Sequence, residues 1–407
     1  MPPQGARYGI MSYIRKTPNR EFPYRKKMKN PFKFGKEVSG YQFYDRQDAT
    51  HSLLRKLRDG STNVVLFAPR RYGKTSLVLK VIEQLSRNDG VCGLCFDMTR
   101  VPTVERFCEE YANAVYAMFG GRKELVHKLM DYLSHLHPTF SVSGEVKLDY
   151  GTKMSATSIA EVLDLPEKLA HDMGDKPIVV AFDEFQDIAE LSKEFPLEKI
   201  FRSCIQAHKN VRYVFLGSKT HLMKRMFGDA TRPFYNSALP MPLPKPPEDE
   251  SVEFLISRFR DAGLVLSPEN AQSILAASEN IPYYLQAIAS LTFECATDKN
   301  HAEVQSSDIS AAIEAFIGIN AELYDERLHG LSDAKRALLE ALAREPVAKF
   351  DEAYRNRHRL SVTSTLHTAL GELVDAGLVD RTPTEVRLAD PLFARSICGN
   401  SATVFTS

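Results

Sequence analysis

The chain has 407 residues, 43% of them apolar, with 52 Lys/Arg balanced by 52 Asp/Glu, so its formal charge is zero. That length supports two or three domains at about 100–200 residues each. The neutral balance argues against a protein coated overall for nucleic acid or acidic lipid. No apolar stretch reaches the roughly 20 residues that span a bilayer, and the N-terminus has no apolar signal core. Six cysteines in such a length make no disulfide framework, so a reduced, cytoplasmic setting is expected.

Residues 1–36 break the balance, with ten Lys/Arg against the single acid Glu21, a formal +9. Several prolines and no helical period make residues 1–29 a disordered basic tail by expectation. It reads as a solvated tail, as an arm for non-specific DNA contact, or as sequence ahead of a translation start at Met28.

The apolar strand Val64-Val-Leu-Phe67 runs into Ala68-Pro69-Arg70-Arg71-Tyr72-Gly73-Lys74-Thr75-Ser76 and on into a helix. This is a phosphate cradle. Loop and helix N–H groups point at a β-phosphate, Lys74 reaches the β- and γ-oxygens, and the Thr75 hydroxyl suits Mg²⁺. The pattern G-x-x-x-x-G-K-[ST] begins with glycine, whereas Ala68 stands there, so that position must accept an L-residue. Cys92-Gly-Leu-Cys95 has the spacing of a metal or redox pair but lies in an apolar run that reads as a core strand ending at Asp97. Val104 to Leu133 reads as helical, Phe140 to Leu148 as an exposed hairpin, and Ser155 to Gly174 as one amphipathic helix.

Pro177-Ile-Val-Val-Ala-Phe-Asp-Glu-Phe-Gln186 holds an uninterrupted apolar run that reads as a strand buried on both faces, with Asp183 and Glu184 emerging at its C-terminal end, where open α/β sheets collect ligands. With the phosphate loop, Asp183 serves Mg²⁺ and Glu184 polarises the attacking water; alone, the pair also suits a helix cap. A third strand, Val211 to Gly217, ends in Ser218, a candidate contact to the γ-phosphate or lytic water, or a helix N-cap. Strand–helix alternation makes an α/β, three-layer P-loop NTPase core with a parallel sheet, over 30–240.

Leu239-Pro-Met-Pro-Leu-Pro-Lys-Pro-Pro247 is too rich in proline for a helix or central strand and reads as a connection. Helical patterns around Glu250–Ala262, Ser267–Ser278 and Tyr283–Thr297 make the lid, and a fourth near Ser307–Ile319 leads onward, all within a helical lid subdomain, 241–325. From 326 to 407, three helices (Asp333–Arg344, Phe350–Arg357, Val362–Ala376) and a hairpin turning at Thr382-Pro-Thr make a C-terminal winged-helix domain. Ser361, Thr363, Ser364, Thr365, His367 and Thr368, with Arg355, Arg357, His358 and Arg359, offer a DNA face. Residues 331–407 nevertheless carry ten Lys/Arg and ten Asp/Glu, without the basic excess of a committed DNA reader, which counts against DNA contact and leaves protein docking as the other reading.

Taken together, these segments resemble the archaeal-type ATPases of the STAND branch of the AAA+ superfamily. The likeness begins at Asn30 to Gln47, similar to the adenine-side box that normally closes Gly-Arg-Glu; here it closes Asp45-Arg46-Gln47, so Arg46 carries over. It continues through Ala-Pro-Arg-Arg-Tyr-Gly-Lys-Thr, Phe-Asp-Glu-Phe-Gln and Leu-Gly-Ser to Asn280-Ile-Pro-Tyr-Tyr-Leu-Gln286, similar to the lid motif Gly-x-Pro. Asn280 replaces that glycine and Pro282, implied to lie near the base, is kept. The family tends to carry Gly-Arg where this chain has Asn236-Ser237, so a γ-phosphate-sensing arginine is missing there. Arg232 or an arginine of a neighbouring subunit would substitute, with slow hydrolysis as the consequence. Asp390-Pro-Leu-Phe393 resembles the family's closing segment, packing back on its domain.

The reading that follows is a Mg²⁺-dependent ATPase and nucleotide switch, with Glu184, Lys74 and Ser218 catalytic and the winged helix reporting to DNA or a protein, without a membrane role, as a monomer or homo-oligomer. A nucleotide-bound scaffold that does not hydrolyse is the competing reading. A helicase-like motor lacks a strongly basic channel.

Overall fold

The computed structural model describes residues 29–35, 46–59, 62–119, 123–140, 145–149, 154–193, 195–360, 363–382 and 384–403. The expected tail up to 28, residues 36–45 of the adenine-side box, Ser361 and Pro383 of the wing turn lie outside the described residues.

The elements up to the sheet's last strand are α1 (Gln47–Asp59), β1 (Val64–Phe67), α2 (Lys74–Asp89), β2 (Cys92–Asp97), α3 (Val104–Met118), α4 (Lys123–Tyr132), the short pair β3 (Thr139–Phe140) and β4 (Val146–Lys147), α5 (Ala156–Leu163), α6 (Leu165–Asp172), β5 (Ile178–Asp183), α7 (Ile188–Leu191), α8 (Leu197–Ala207), β6 (Val211–Gly217), α9 (Thr220–Gly228) and β7 (Leu239–Pro242). Five strands form one parallel sheet in the order β2-β5-β6-β1-β7. The strand of the phosphate loop and the strand of the acidic pair are thus separated by β6, and all three deliver their C-terminal ends to one edge. Helices cover both faces, so β5 is buried from Ile178 to Phe182 and only Asp183 emerges.

Three sequence readings change. The helix expected over 155–174 breaks at Asp164, with Pro166 in the first turn of α6, where its missing N–H is harmless. The helical stretch expected to Leu133 is two helices, α3 and α4. The proline-rich connection includes a real strand, β7, at the sheet's outer edge. Leu239 N donates to Asn63 O at 2.7 Å and Leu243 N to Phe67 O at 3.0 Å, so Pro240 and Pro242 take the alternate positions that face away from β1. Cys92 and Cys95 sit three apart on β2, hence on opposite faces, and no metal-binding cluster occurs among the described residues.

One side of the sheet carries an aromatic core centred on Phe182, fully buried, with Phe96, Tyr111, Phe185, Phe201, Tyr213 and Phe215 at centroid distances of 5.5 to 6.3 Å. The other side shares its core (Val64, Leu66, Val78, Val214) with the lid helices α10 (Glu248–Asp261), α11 (Pro268–Ser278), α12 (Pro282–Asp298) and α13 (Ser306–Ile319).

A short helix not foreseen in the sequence, α14 (Ala321–His329), leads to α15 (Asp333–Arg344), α16 (Glu352–Arg357), α17 (Thr363–Asp375), the antiparallel wing β8 (Val379–Arg381) and β9 (Val386–Leu388), and α18 (Pro391–Thr403). This is a winged helix with its own core of Leu338, Leu342, Leu370, Leu373, Val386 and Phe393. The closing segment at Asp390 starts α18: Asp390 Oδ1 accepts Leu392 N and Phe393 N at 3.0 Å each. Leu392 leaves the winged-helix core and is buried with the lid and sheet.

Candidate nucleotide site

Between β1 and α2 the backbone turns through two left-handed residues, Arg71 (φ +71°) and Gly73 (φ +81°). Gly73 does so freely; Arg71 is held there by its contacts. Its carbonyl accepts Tyr283 N at 3.3 Å, and its guanidinium lies 4.8 Å from the ring centres of Tyr283 and of Tyr284 while donating to Asp390 at 3.0 Å. Ala68 keeps an ordinary backbone, donating its N–H to Gly217 O at 3.4 Å, so the missing first glycine needs no special conformation.

The loop opens on a cavity of about 500 Å³. Arg70, Arg71, Tyr72, Gly73, Lys74, Thr75 and Ser76 line it with Arg46, Asp183, Glu184 and Pro282. Ala68, Pro69 and Ser218 instead line a second cavity of about 710 Å³ between the loop and the winged helix, and Arg70 borders both. Phe34, Asp97, Tyr283 and Gln286 also face the first cavity; sequence reasoning gave them no role. Asp97 had a signal, because it ends its apolar strand in register with Asp183.

Thr75 Oγ1 donates to Asp183 Oδ2 at 2.5 Å, bringing together two oxygen donors of the hard type Mg²⁺ prefers. Burial pushes the Asp183 carboxyl up, the Thr75 hydrogen bond opposing it. Glu184 sits in the left-handed region (φ +50°) and turns toward β6. Its Oε2 accepts Ser218 Oγ at 2.6 Å and Gln186 Nε2 at 2.5 Å. Burial raises the Glu184 carboxyl, but Lys74 and these hydrogen bonds outweigh it and the net shift is down. Ser218 is not a helix cap, since α9 begins beyond it and Lys219 holds the cap position. Close approach here requires Gly217, where a Cβ would lie 2.3 Å from Met223 and 2.7 Å from Gln186 Oε1.

Lys74 is buried and bends back on its own loop, donating to Ala68 O at 2.9 Å and Pro69 O at 3.2 Å. Burial lowers its pKa, with Glu184 and Asp183 opposing. Arg46 bridges Pro244 O (2.6 Å) and Tyr72 O (2.7 Å), tying the loop to the chain entering the lid. Pro282 opens α12 at the cavity wall. Arg232 is paired with buried Glu198 and lines neither cavity. Asn236 (φ +51°) and Asn280 (φ +55°) hold left-handed conformations where the resemblance expects glycine, and asparagine tolerates them best among side-chain-bearing residues. Asn280 is also anchored, donating to Pro246 O at 2.8 Å and accepting Ser251 Oγ at 2.6 Å.

The winged helix touches this site directly. Besides Arg71–Asp390, Arg387 of β9 donates to Tyr72 Oη at 3.1 Å and pairs with Glu279 of the lid, and His221 Nε2 lies 3.2 Å from Asp375 of α17.

Sheet order, phosphate loop and helical cap define the class: an α/β P-loop NTPase fold with a C-terminal winged helix. Residues 322–398 match the family described as "Probable winged helix domain". Among solved structures, the Walker-type ATPase paby2304 of Pyrococcus abyssi is similar over 90% of this chain and 99% of its own, at 20% identity and a TM-score of 0.65. The ORC2 protein of Aeropyrum pernix, in ADPNP and ADP complexes, is similar over 93% of this chain and 99% of its own, at 14% identity and a TM-score of 0.60. Its ADP form gives 89%, 98%, 14% and 0.51. At these identities the likeness shows the fold. Curated proteins yielded no sequence match. Among the described residues no helix is long and apolar enough to cross a membrane.

Proposed function

We propose that the chain is a Mg²⁺-dependent ATPase of the STAND branch whose winged helix reports the nucleotide state. The observation that carries this is that Arg71 and Tyr72, consecutive residues of the phosphate loop, are bonded to Asp390 and Arg387 of the winged helix. A phosphate seated in the loop engages the backbone of the same residues whose side chains hold the winged helix, which couples docking to the ligand in this reading. The division into core 30–240, lid 241–325 and winged helix 326–407 belongs to this reading.

In it, loop N–H groups and Lys74 hold the phosphates, Arg46 and Pro282 border the base side, and Thr75 with Asp183 hold Mg²⁺. Bound there, the metal would neutralise phosphate charge. Glu184, kept ionised, accepts the proton of the attacking water, and Ser218 fixes its orientation. Ser364, Thr365, His367 and Thr368 are exposed along the first turns of α17 and form the surface for a DNA or protein partner. Arg357 and His358 beside them are held by Glu345, which favours the protein. A cytoplasmic protein, alone or as a homo-oligomer, fits this role.

Phosphate release with Mg²⁺, and with and without duplex DNA, tests the proposal. Lys74→Ala is expected to weaken ATP binding about 10- to 100-fold, the worth of a charge-assisted bond of roughly 1.5–3 kcal/mol. Stoichiometric bound nucleotide without phosphate release by the wild type would instead establish the scaffold.

Stability is also expected to depend on pH. Asp380 of β8 lies in the cavity beneath the winged helix with Oδ2 buried and without a hydrogen-bond partner among the described residues. Burial pushes its carboxyl up to about 6 against the pull of Lys245 and Lys74. A raised carboxyl pKa favours the protonated folded form. The penalty is therefore absent below about pH 4, grows as pH rises, and is complete above about pH 6, with an upper bound near 3 kcal/mol. Asp380→Asn should raise Tm at pH 7.5, with the gain shrinking toward pH 4 in calorimetry.

A further inference from the structure

We infer that the Arg70 side chain is the cation that contacts the γ-phosphate during hydrolysis, supplied by the phosphate loop of the same chain. This rests on the ATPase reading above and assigns a role that reading leaves open.

Of the other cations near the loop, Lys33 borders the nucleotide cavity from the lid side, with its backbone N–H bonded to Gln286, and three more are committed. Arg46 is held by two carbonyls, Arg71 by Asp390 and two tyrosine rings, and Lys74 by two loop carbonyls. Arg232, the substitute suggested by the sequence, is bound to Glu198 away from the cavity. Lys219 borders only the second cavity. Arg70 differs from the committed cations in being unengaged and from Lys33 in bordering both cavities. It is exposed, and no hydrogen bond or ion pair engages its guanidinium among the described residues.

Its position supplies the rest of the argument. Arg70 borders both the nucleotide cavity and the cavity on the Ser218 side, so it stands where the loop passes from one to the other. It shares the nucleotide cavity with Glu184 and Asp183, and the second cavity with Ser218, the partner of Glu184. Arg70 thus stands at the end of the site that holds the carboxylate receiving the water proton and its serine partner. In hydrolysis the water oxygen bonds to the γ-phosphorus, its proton passes to Glu184, and the bridging oxygen leaves with its electron pair on ADP. Charge on the γ-oxygens shifts during that step, and a planar fork of donors engages two such oxygens at once. An arginine on the loop itself needs no second subunit to complete the site.

Arg70→Ala and Arg70→Lys test this, read as kcat and KM for ATP, ADP affinity, and retention of ADP by aluminium fluoride. Because Arg70 is exposed, both variants should keep the wild-type Tm. Arg70→Ala should lower kcat about 100-fold or more, with KM and ADP affinity changed less than about threefold, and abolish trapping by aluminium fluoride. Arg70→Lys should recover only part of the rate. Mixing Arg70→Ala with Glu184→Gln should restore nothing, since each lacks a group needed in the same chain. A kcat for Arg70→Ala within about threefold of wild type, or restored activity on mixing, overturns the inference while leaving the ATPase reading in place. Absence of phosphate release by the wild type removes both.

Discussion

Glu184→Gln is expected to lower single-turnover phosphate release by about 10²–10⁴-fold while ATP stays bound. The substitution keeps shape and one acceptor oxygen, so Ser218 Oγ and Gln186 Nε2 can still donate to the side chain and the strained turn at φ +50° keeps its supports. What disappears is the ability to take a proton. Lys74 loses by the change, because a carboxylate that offset the burial of its ammonium is gone while the burial remains, and Asp183 is left as the main charge opposing it. Rapid-quench measurement of phosphate, with bound nucleotide counted in the same sample, checks both halves. Loss of bound nucleotide in parallel with turnover would place Glu184 in binding instead.

Phe182→Ala is expected to destabilise the core by about 3–5 kcal/mol, the usual range for deleting a buried aromatic ring. The site allows little collapse, since Phe182 touches six aromatic neighbours drawn from β2, α3, α8, β6 and the turn after β5, and none can fill the void without leaving its own place. The ring also immediately precedes Asp183, so loosening it should relax the Thr75–Asp183 contact. The denaturant midpoint followed by tyrosine fluorescence is the measurement. A shift below about 1 kcal/mol would mean that the aromatic layer is not the keystone of this face.

The parts legible in the sequence are those set by neighbouring residues. A four-residue apolar strand, a glycine able to turn left-handed and a helix beginning at Lys74 are all local, and they appear where the sequence places them. The same holds for β5, whose apolar run is dictated by cover on both faces. The winged-helix contacts were not legible, because Arg71 and Asp390 lie 319 residues apart and neither carries a local sign of the other. Gln186 stood in view beside the acidic pair, yet its bond to Glu184 depends on a turn no propensity reveals. Asn236 and Asn280 looked like departures; the backbone they hold is the one a glycine would hold. At nine residues, α14 has too few turns for its period to stand out.

The prolines of β7 carry a consequence for self-association. A strand from another molecule extends a sheet by pairing with free N–H groups along its border, and at Pro240 and Pro242 that border has none to give. Copies of this protein cannot grow into a continuous sheet from that side, which leaves β2, among the described residues, as the one border of the five-stranded sheet with N–H groups to offer.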